Sequence, residues 1–287
     1  MRIRTLLFSL LFLVMLVLRW PEFRTYAQSD SEPGATLPPD GTIPGPVAIY
    51  LPIVATVGKI APTPEPTVAP TPPTLFDTLP VQGQTIDRHP ATNPDLNLVW
   101  RSYISTTATL GLMHINGDTD VHAPQLTGLF NPPRLATFSA VYQIYDWNWG
   151  CGADGCRGNP LTDPTVTLLA LATNPGEPLF IPTRDPEIHA GGYRALVLYA
   201  EETRITLTYT REDTPARGYL VHLEDIQVDP SLLALYRAQD ATGRQALPAL
   251  RHQERFANAS GSTLKIAIRD TGSFMDPRSR KDWWVGY

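Results

Sequence analysis

From Phe76 onward, short runs of aliphatic, β-branched and aromatic residues are separated by clusters of Gly, Pro, Asn and Asp. That pattern predicts a mainly β domain. It places strands at Leu98–Tyr103, Leu110–Ile115, Thr137–Ile144, Thr165–Ala172, Leu179–Pro182, Ala195–Ala200, Arg204–Thr210, Tyr219–Val228 and Thr263–Arg269. The plainest alternation is Ile205, Leu207 and Tyr209 against polar neighbours, which makes Arg204–Thr210 and Tyr219–Val228 an antiparallel hairpin. One short helix is expected. Asp229 caps it, Pro230 suits its first position, and SLLALYRAQDA continues until Gly243 stops it. No repeat of solenoid or propeller period is present. The expected fold is therefore an antiparallel β-sheet domain with one short helix, spanning 76–287.

The residues before it follow a different grammar. Arg2 and Arg4 precede an apolar run from Leu6 to Leu18, too short for a membrane span of roughly 20 residues and suited to a signal segment. Thr25 and Ala27 offer the small residues of a cleavage site, so 1–27 reads as a signal peptide. The alternative is an uncleaved anchor, because Arg19, Trp20 and Arg24 lengthen the polar region. Residues 28–75 read as a disordered Pro-rich linker. Within it, Val47–Val57 is an apolar island, either a strand that docks on the domain or a linker segment, and Ala61–Thr74 favours a polyproline II stalk of roughly 40 Å at most. The expected location is secreted or at the extracytoplasmic cell surface, with membrane contact only through the N-terminal segment if it stays uncleaved.

Composition narrows the function classes. The net charge is −5 with both signs interspersed, and no Lys/Arg stripe exists to neutralise a phosphate backbone, which excludes nucleic acid as a partner. The two cysteines, Cys151 and Cys156, form a disulfide across a glycine-bearing turn in an oxidising compartment; the rival reading is a pair of thiolate metal ligands.

Three groups of side chains bear on chemistry. HINGDTDVH carries His114, Asp118, Asp120 and His122, the densest set of metal-ligand types in the chain, and it is equally a solvated turn around Asn116-Gly117-Asp118. FSAVYQIYDWNWG puts Tyr145, Trp147 and Trp149 on one face of an extended chain, as a ladder for stacking on sugar rings or as core packing. His222 shares a strand face with Leu220 and Glu224, as a partly buried histidine or as a catalytic base. Trp283 and Trp284 are expected to seal the end of the domain. There is no GxSxG elbow and no phosphate-binding glycine loop. The pairs Glu201-Glu202 and Glu224-Asp225 point to opposite faces of a strand, which leaves a glycosidase dyad unmotivated.

Over 165–278 the order of features resembles the lysostaphin-type (LytM-like) zinc endopeptidases that cut peptidoglycan cross-links. TLLALATNPGEPLFIP is similar to the family's strand, glycine and apolar-proline step through Gly176, Pro178 and Pro182. GYLVHLEDIQV resembles its central hairpin through Tyr219, His222 and Leu223, and LKIAIRDTGSFMDP its last core strand through Ile268, Arg269, Gly272, Asp276 and Pro277. In the same register the zinc positions fall on Val166, Ala170 and Lys265, and the first His of the family's His-x-His pair falls on Thr263. None of these binds zinc as the mechanism requires. Only His222 remains of the family's active site. The resemblance thus implies a degenerate scaffold without a cofactor, binding peptidoglycan or another glycan. Two alternatives stay open: an active zinc-dependent endopeptidase using His114, Asp118, Asp120, His122 or His222, and a structural surface protein that binds a protein partner.

Overall fold

The computed structural model describes residues 75–182 and 184–287. The expected signal peptide, the expected Pro-rich linker before Leu75 and the Val47–Val57 island all lie outside the described residues. In chain order the elements are β1 (Asp77–Pro80), α1 (Leu98–Arg101), β2 (Tyr103–Ser105), β3 (Phe138–Asn148), β4 (Cys156–Pro160), β5 (Leu168–Ala172), β6 (Pro178–Phe180), β7 (Tyr193–Glu201), β8 (Arg204–Thr208), β9 (Tyr219–Glu224), β10 (Ile226–Val228), α2 (Pro230–Ala241), β11 (Ala246–Arg251), β12 (Arg255–Ala259), β13 (Thr263–Asp270), β14 (Ser273–Met275) and α3 (Arg280–Trp283).

The main sheet runs β1-β11-β7-β8-β9-β13-β5-β3-β2, with β14 pairing β13 and β4 pairing β3. A three-stranded sheet, β10-β12-β6, lies apart from it in hydrogen bonding. Every pairing between these strands is antiparallel. The domain is mainly antiparallel β, as the alternation of its strands predicts, and among the described residues α2 is the one helix longer than four residues. Among the described residues no helix is long and apolar enough to cross a membrane.

Alternation along the strands builds one large core. Ile205 and Leu207 of β8, Val221 and Leu223 of β9, Ile266 and Ile268 of β13 and Leu169 and Leu171 of β5 are all buried in it. The small sheet adds Leu179, Ile226 and Phe256 to the same core, and α2 adds Leu232 and Tyr236. Asp229 caps α2 as expected, its carboxylate accepting from the Ser231 amide at 2.9 Å. The opposite face of the central strands carries Leu168, Ala267 and Ile144, covered by Leu98 and Phe274 in a smaller apolar cluster. Because both faces are covered, β5 reads as an uninterrupted apolar run.

The structure corrects several expected elements. Leu98–Tyr103 is not one strand: Asn97 accepts from the Val99 amide at 3.3 Å and starts the single turn α1, and Ser102 at φ 61° redirects the chain into β2. Leu110–Ile115 forms no strand, and only Met113 bridges to Ser279. Tyr219–Val228 is divided at Asp225, whose φ of 62° carries the chain from the main sheet to the small one.

Candidate functional site

His222 of β9 lies opposite Thr206 of β8 and Ala267 of β13. It is 2% exposed. The Thr206 hydroxyl donates to the Leu96 carbonyl at 2.6 Å and sits 2.9 Å from His222 Nδ1. With the hydroxyl proton spent on Leu96, Nδ1 must be the protonated nitrogen and donate to Thr206. Nε2 then carries a lone pair that meets no hydrogen-bond partner among the described residues. Burial holds the imidazole pKa well below 6.5, and the positive charges of Arg269 and Arg101 lower it further.

Those two arginines form a buried group with Asp95. The Asp95 carboxylate takes Arg101 Nη2 at 2.5 Å and Arg269 Nη1 at 3.1 Å. Arg101 also donates to the carbonyls of Pro94 (3.0 Å) and Tyr145 (3.2 Å). Burial, offset by Asp95 and reinforced by Arg101, lowers the Arg269 pKa to about 10. The loop carrying Asp95 and strand β3 are thereby tied to β13, the neighbour of the His222 strand in the sheet.

One row further along the same face, charges alternate across four strands: Lys265 of β13 opposite Glu224 of β9, Glu224 opposite Arg204 of β8, and Arg204 opposite Glu201 of β7. Ala170 of β5 extends the row beyond Lys265. Burial raises the Glu224 pKa, opposed by Arg204 and Lys265. Lys265 pairs with Asp225 and lies 5.5 Å from the Tyr103 ring centre. Two of the positions where the zinc-peptidase resemblance expects ligands, Ala170 and Lys265, therefore face each other across one strand pair. Neither an aliphatic methyl nor an ammonium paired to a carboxylate binds a metal. Thr263 faces Ala172 in the same pair, and Val166 is buried in the large core before β5.

His114, Asp118, Asp120 and His122 are all exposed. Asp120 is used locally: one oxygen accepts from the His122 amide at 2.8 Å, the other from the Tyr219 hydroxyl at 2.8 Å. Among the described residues no three His, Cys, Asp or Glu side chains are grouped closely enough to hold a metal ion.

The aromatic ladder sits where β3 leaves the sheet and pairs with β4. Tyr145 and Trp147 are half-buried, whereas Trp149, just past the strand, is 46% exposed. The rings of Trp147 and Trp149 meet edge to face with centres 6.3 Å apart. Trp147 Nε1 donates to the Asp154 carbonyl at 3.2 Å, and Cys151 and Cys156 are joined in the expected disulfide across the tip. Arg88 binds Asp154 at 2.7 Å and lies 5.3 Å from the Trp149 ring centre. Arg157 lies 5.5 Å from the Tyr145 ring centre and donates to the Trp100 carbonyl at 3.0 Å. Trp100 itself is 44% exposed, its indole N–H held by the Ala91 carbonyl at 2.6 Å. Arg157 belongs to β4 and lies opposite Trp147, whereas Trp100 and Arg88 carry no sequence signal for this neighbourhood, since both are brought to the hairpin by tertiary contact alone. Trp283 and Trp284 are buried, as expected of residues closing the domain.

Compared with family models, curated proteins and solved structures, the chain matches none, so its role is argued from its own geometry.

Proposed function

We propose that this is a non-catalytic binding domain, displayed outside the cytoplasm, whose ligand is cell-wall peptidoglycan or another glycan held on the aromatic surface around the β3–β4 hairpin. The observation that carries the reading is the pair of indoles Trp149 and Trp100, each with nearly half its surface open on a braced framework. Sugar rings present apolar C–H faces to aromatic planes and hydroxyls to neighbouring donors. Arg157 and Arg88 supply such donors beside the rings. A braced surface loses little conformational entropy on binding, which favours affinity for a flat, weakly apolar ligand.

The absence of metal ligands at Ala170 and Lys265, and the sealing of His222, support binding rather than hydrolysis within a lysostaphin-like scaffold. The test is co-sedimentation of the full chain with purified sacculi and with insoluble polysaccharides, using the wild type and the Trp100→Ala/Trp149→Ala double variant. Retention of the wild type and loss of the double variant is expected. Failure of the wild type to sediment would overturn the reading and favour a protein ligand for the same surface, and equal sedimentation of both would overturn the assignment of the glycan to these indoles.

A further inference from the structure

The loop around His114–Val121 and the C-terminal stretch from Arg280 to Gly286 enclose a groove of about 500 Å³. It shares no lining residue with the β3–β4 hairpin or with the His222 face. Its volume lies within the range of small-molecule sites, roughly 300–1,000 Å³. Two of its apolar side chains stand open to solvent, Val121 at 76% and Val285 at 57% exposure. The wall is braced: the Gln125 side chain donates to the Asp282 carbonyl at 2.8 Å and accepts from the Val285 amide at 3.0 Å. Lys281 donates to the carbonyls of Gly117 (2.9 Å) and Asp118, which holds the opposite loop.

The charged residues that line the groove are Arg280 and Lys281, and no carboxylate lines it. Lys281 is engaged by that loop and by Asp282 at 3.6 Å. The Arg280 backbone donates to the Met113 carbonyl at 3.0 Å, while its exposed guanidinium makes no hydrogen bond or ion pair with any described residue. An apolar slot with a free guanidinium at its mouth complements a molecule with a hydrocarbon body and one anionic, planar end. A guanidinium meets a carboxylate with two parallel N–H donors, which a neutral head group cannot match.

We propose that this groove binds an aliphatic carboxylate, its chain against Val121 and Val285 and its carboxylate on Arg280. The test is calorimetric titration of the full chain with octanoate, octanol and octylamine. Saturable octanoate binding is expected, about fivefold tighter than octanol, the upper end for an exposed charge pair, with octylamine weakest. Arg280→Gln should bring octanoate down to the octanol level. Val121→Asp, at a position too exposed to matter for folding, should abolish binding, and Trp149→Ala should leave it unchanged. No saturable octanoate binding, equal affinity for all three probes, or a preference that survives Arg280→Gln would overturn the proposal.

Discussion

Arg244 and Asp213 meet as a two-point pair inside the domain, Nε and Nη2 each 2.8 Å from a carboxylate oxygen. Arg244 continues to Asp240 in α2 at 2.7 Å and to the Leu198 carbonyl of β7 at 2.8 Å, and Asp213 accepts from the Ile86 amide at 3.2 Å. One guanidinium thus joins the helix, the main sheet, the β8–β9 connection and the loop after β1. Removing the Asp213 carboxylate leaves the buried guanidinium with Asp240 as its remaining anionic partner, and breaking a buried pair in this way typically costs about 3–5 kcal/mol. Asp213→Ala is expected to lose that much in urea-induced unfolding. A loss under about 1 kcal/mol would show that water replaces the pair.

His222 gives the domain an acid sensitivity of definite sign. Its pKa in the folded state lies well below the unfolded value of 6.5, through burial first and then Arg269 and Arg101. Above pH 6.5 the imidazole is neutral in both states. As pH falls below 6.5 the unfolded chain takes up a proton that the folded chain refuses, so stability declines toward the folded pKa. His222→Gln removes the titration. The difference in unfolding free energy between variant and wild type, measured from pH 7.5 down to 5.5, should therefore move in favour of the variant. A difference that stays flat would place the histidine in water.

Gly155 bears on the aromatic surface from behind. Its φ is 75°, and a Cβ there would stand 2.3 Å from Trp147 Nε1 and 3.0 Å from the Asn148 carbonyl oxygen. Gly155→Ala is expected to cost about 1–3 kcal/mol through backbone strain and to displace Trp147. A shift in tryptophan emission together with weaker sacculus binding is the predicted result. Unchanged emission would mean that the hairpin tip adapts.

Trp149 should behave in the opposite way. An exposed side chain past the end of its strand contributes little to stability, so Trp149→Ala should unfold within about 0.5 kcal/mol of wild type. As a central anchor for a ligand it should still weaken glycan binding by about tenfold or more. Loss of stability with binding intact would make the ring a packing element.

The strands that were legible in the sequence are those whose apolar and polar residues alternate, β8 above all, or whose apolar run is bounded by turn residues, such as β5 and β13. β11 was hidden by Pro248 in the middle of ALPALR, and β4 by the Gly and Pro of CRGNP, residues that ordinarily argue against a strand. Leu98–Arg101 misled because four apolar or long residues fit a helical turn as well as a strand, and Asn97 decided between them. Of the site, the Tyr145, Trp147 and Trp149 spacing and the disulfide could be read directly. Arg157 lies in the hairpin itself, but Trp100 and Arg88 arrive from distant sequence, and the Asp95 group around His222 depends on a loop with no periodicity to announce it.

The position of β13 has a consequence for how the chain matures. Residues 263–270 lie between β9 and β5, pairing with β5 through 263–266 and with β9 through 265–270. Until that late segment emerges, those two strands each present an unpaired edge, and the two halves of the main sheet have no hydrogen-bonded seam between them. Assembly must therefore wait on nearly the last strand to be made, and a chain interrupted before residue 263 would be an aggregation hazard rather than a smaller folded domain.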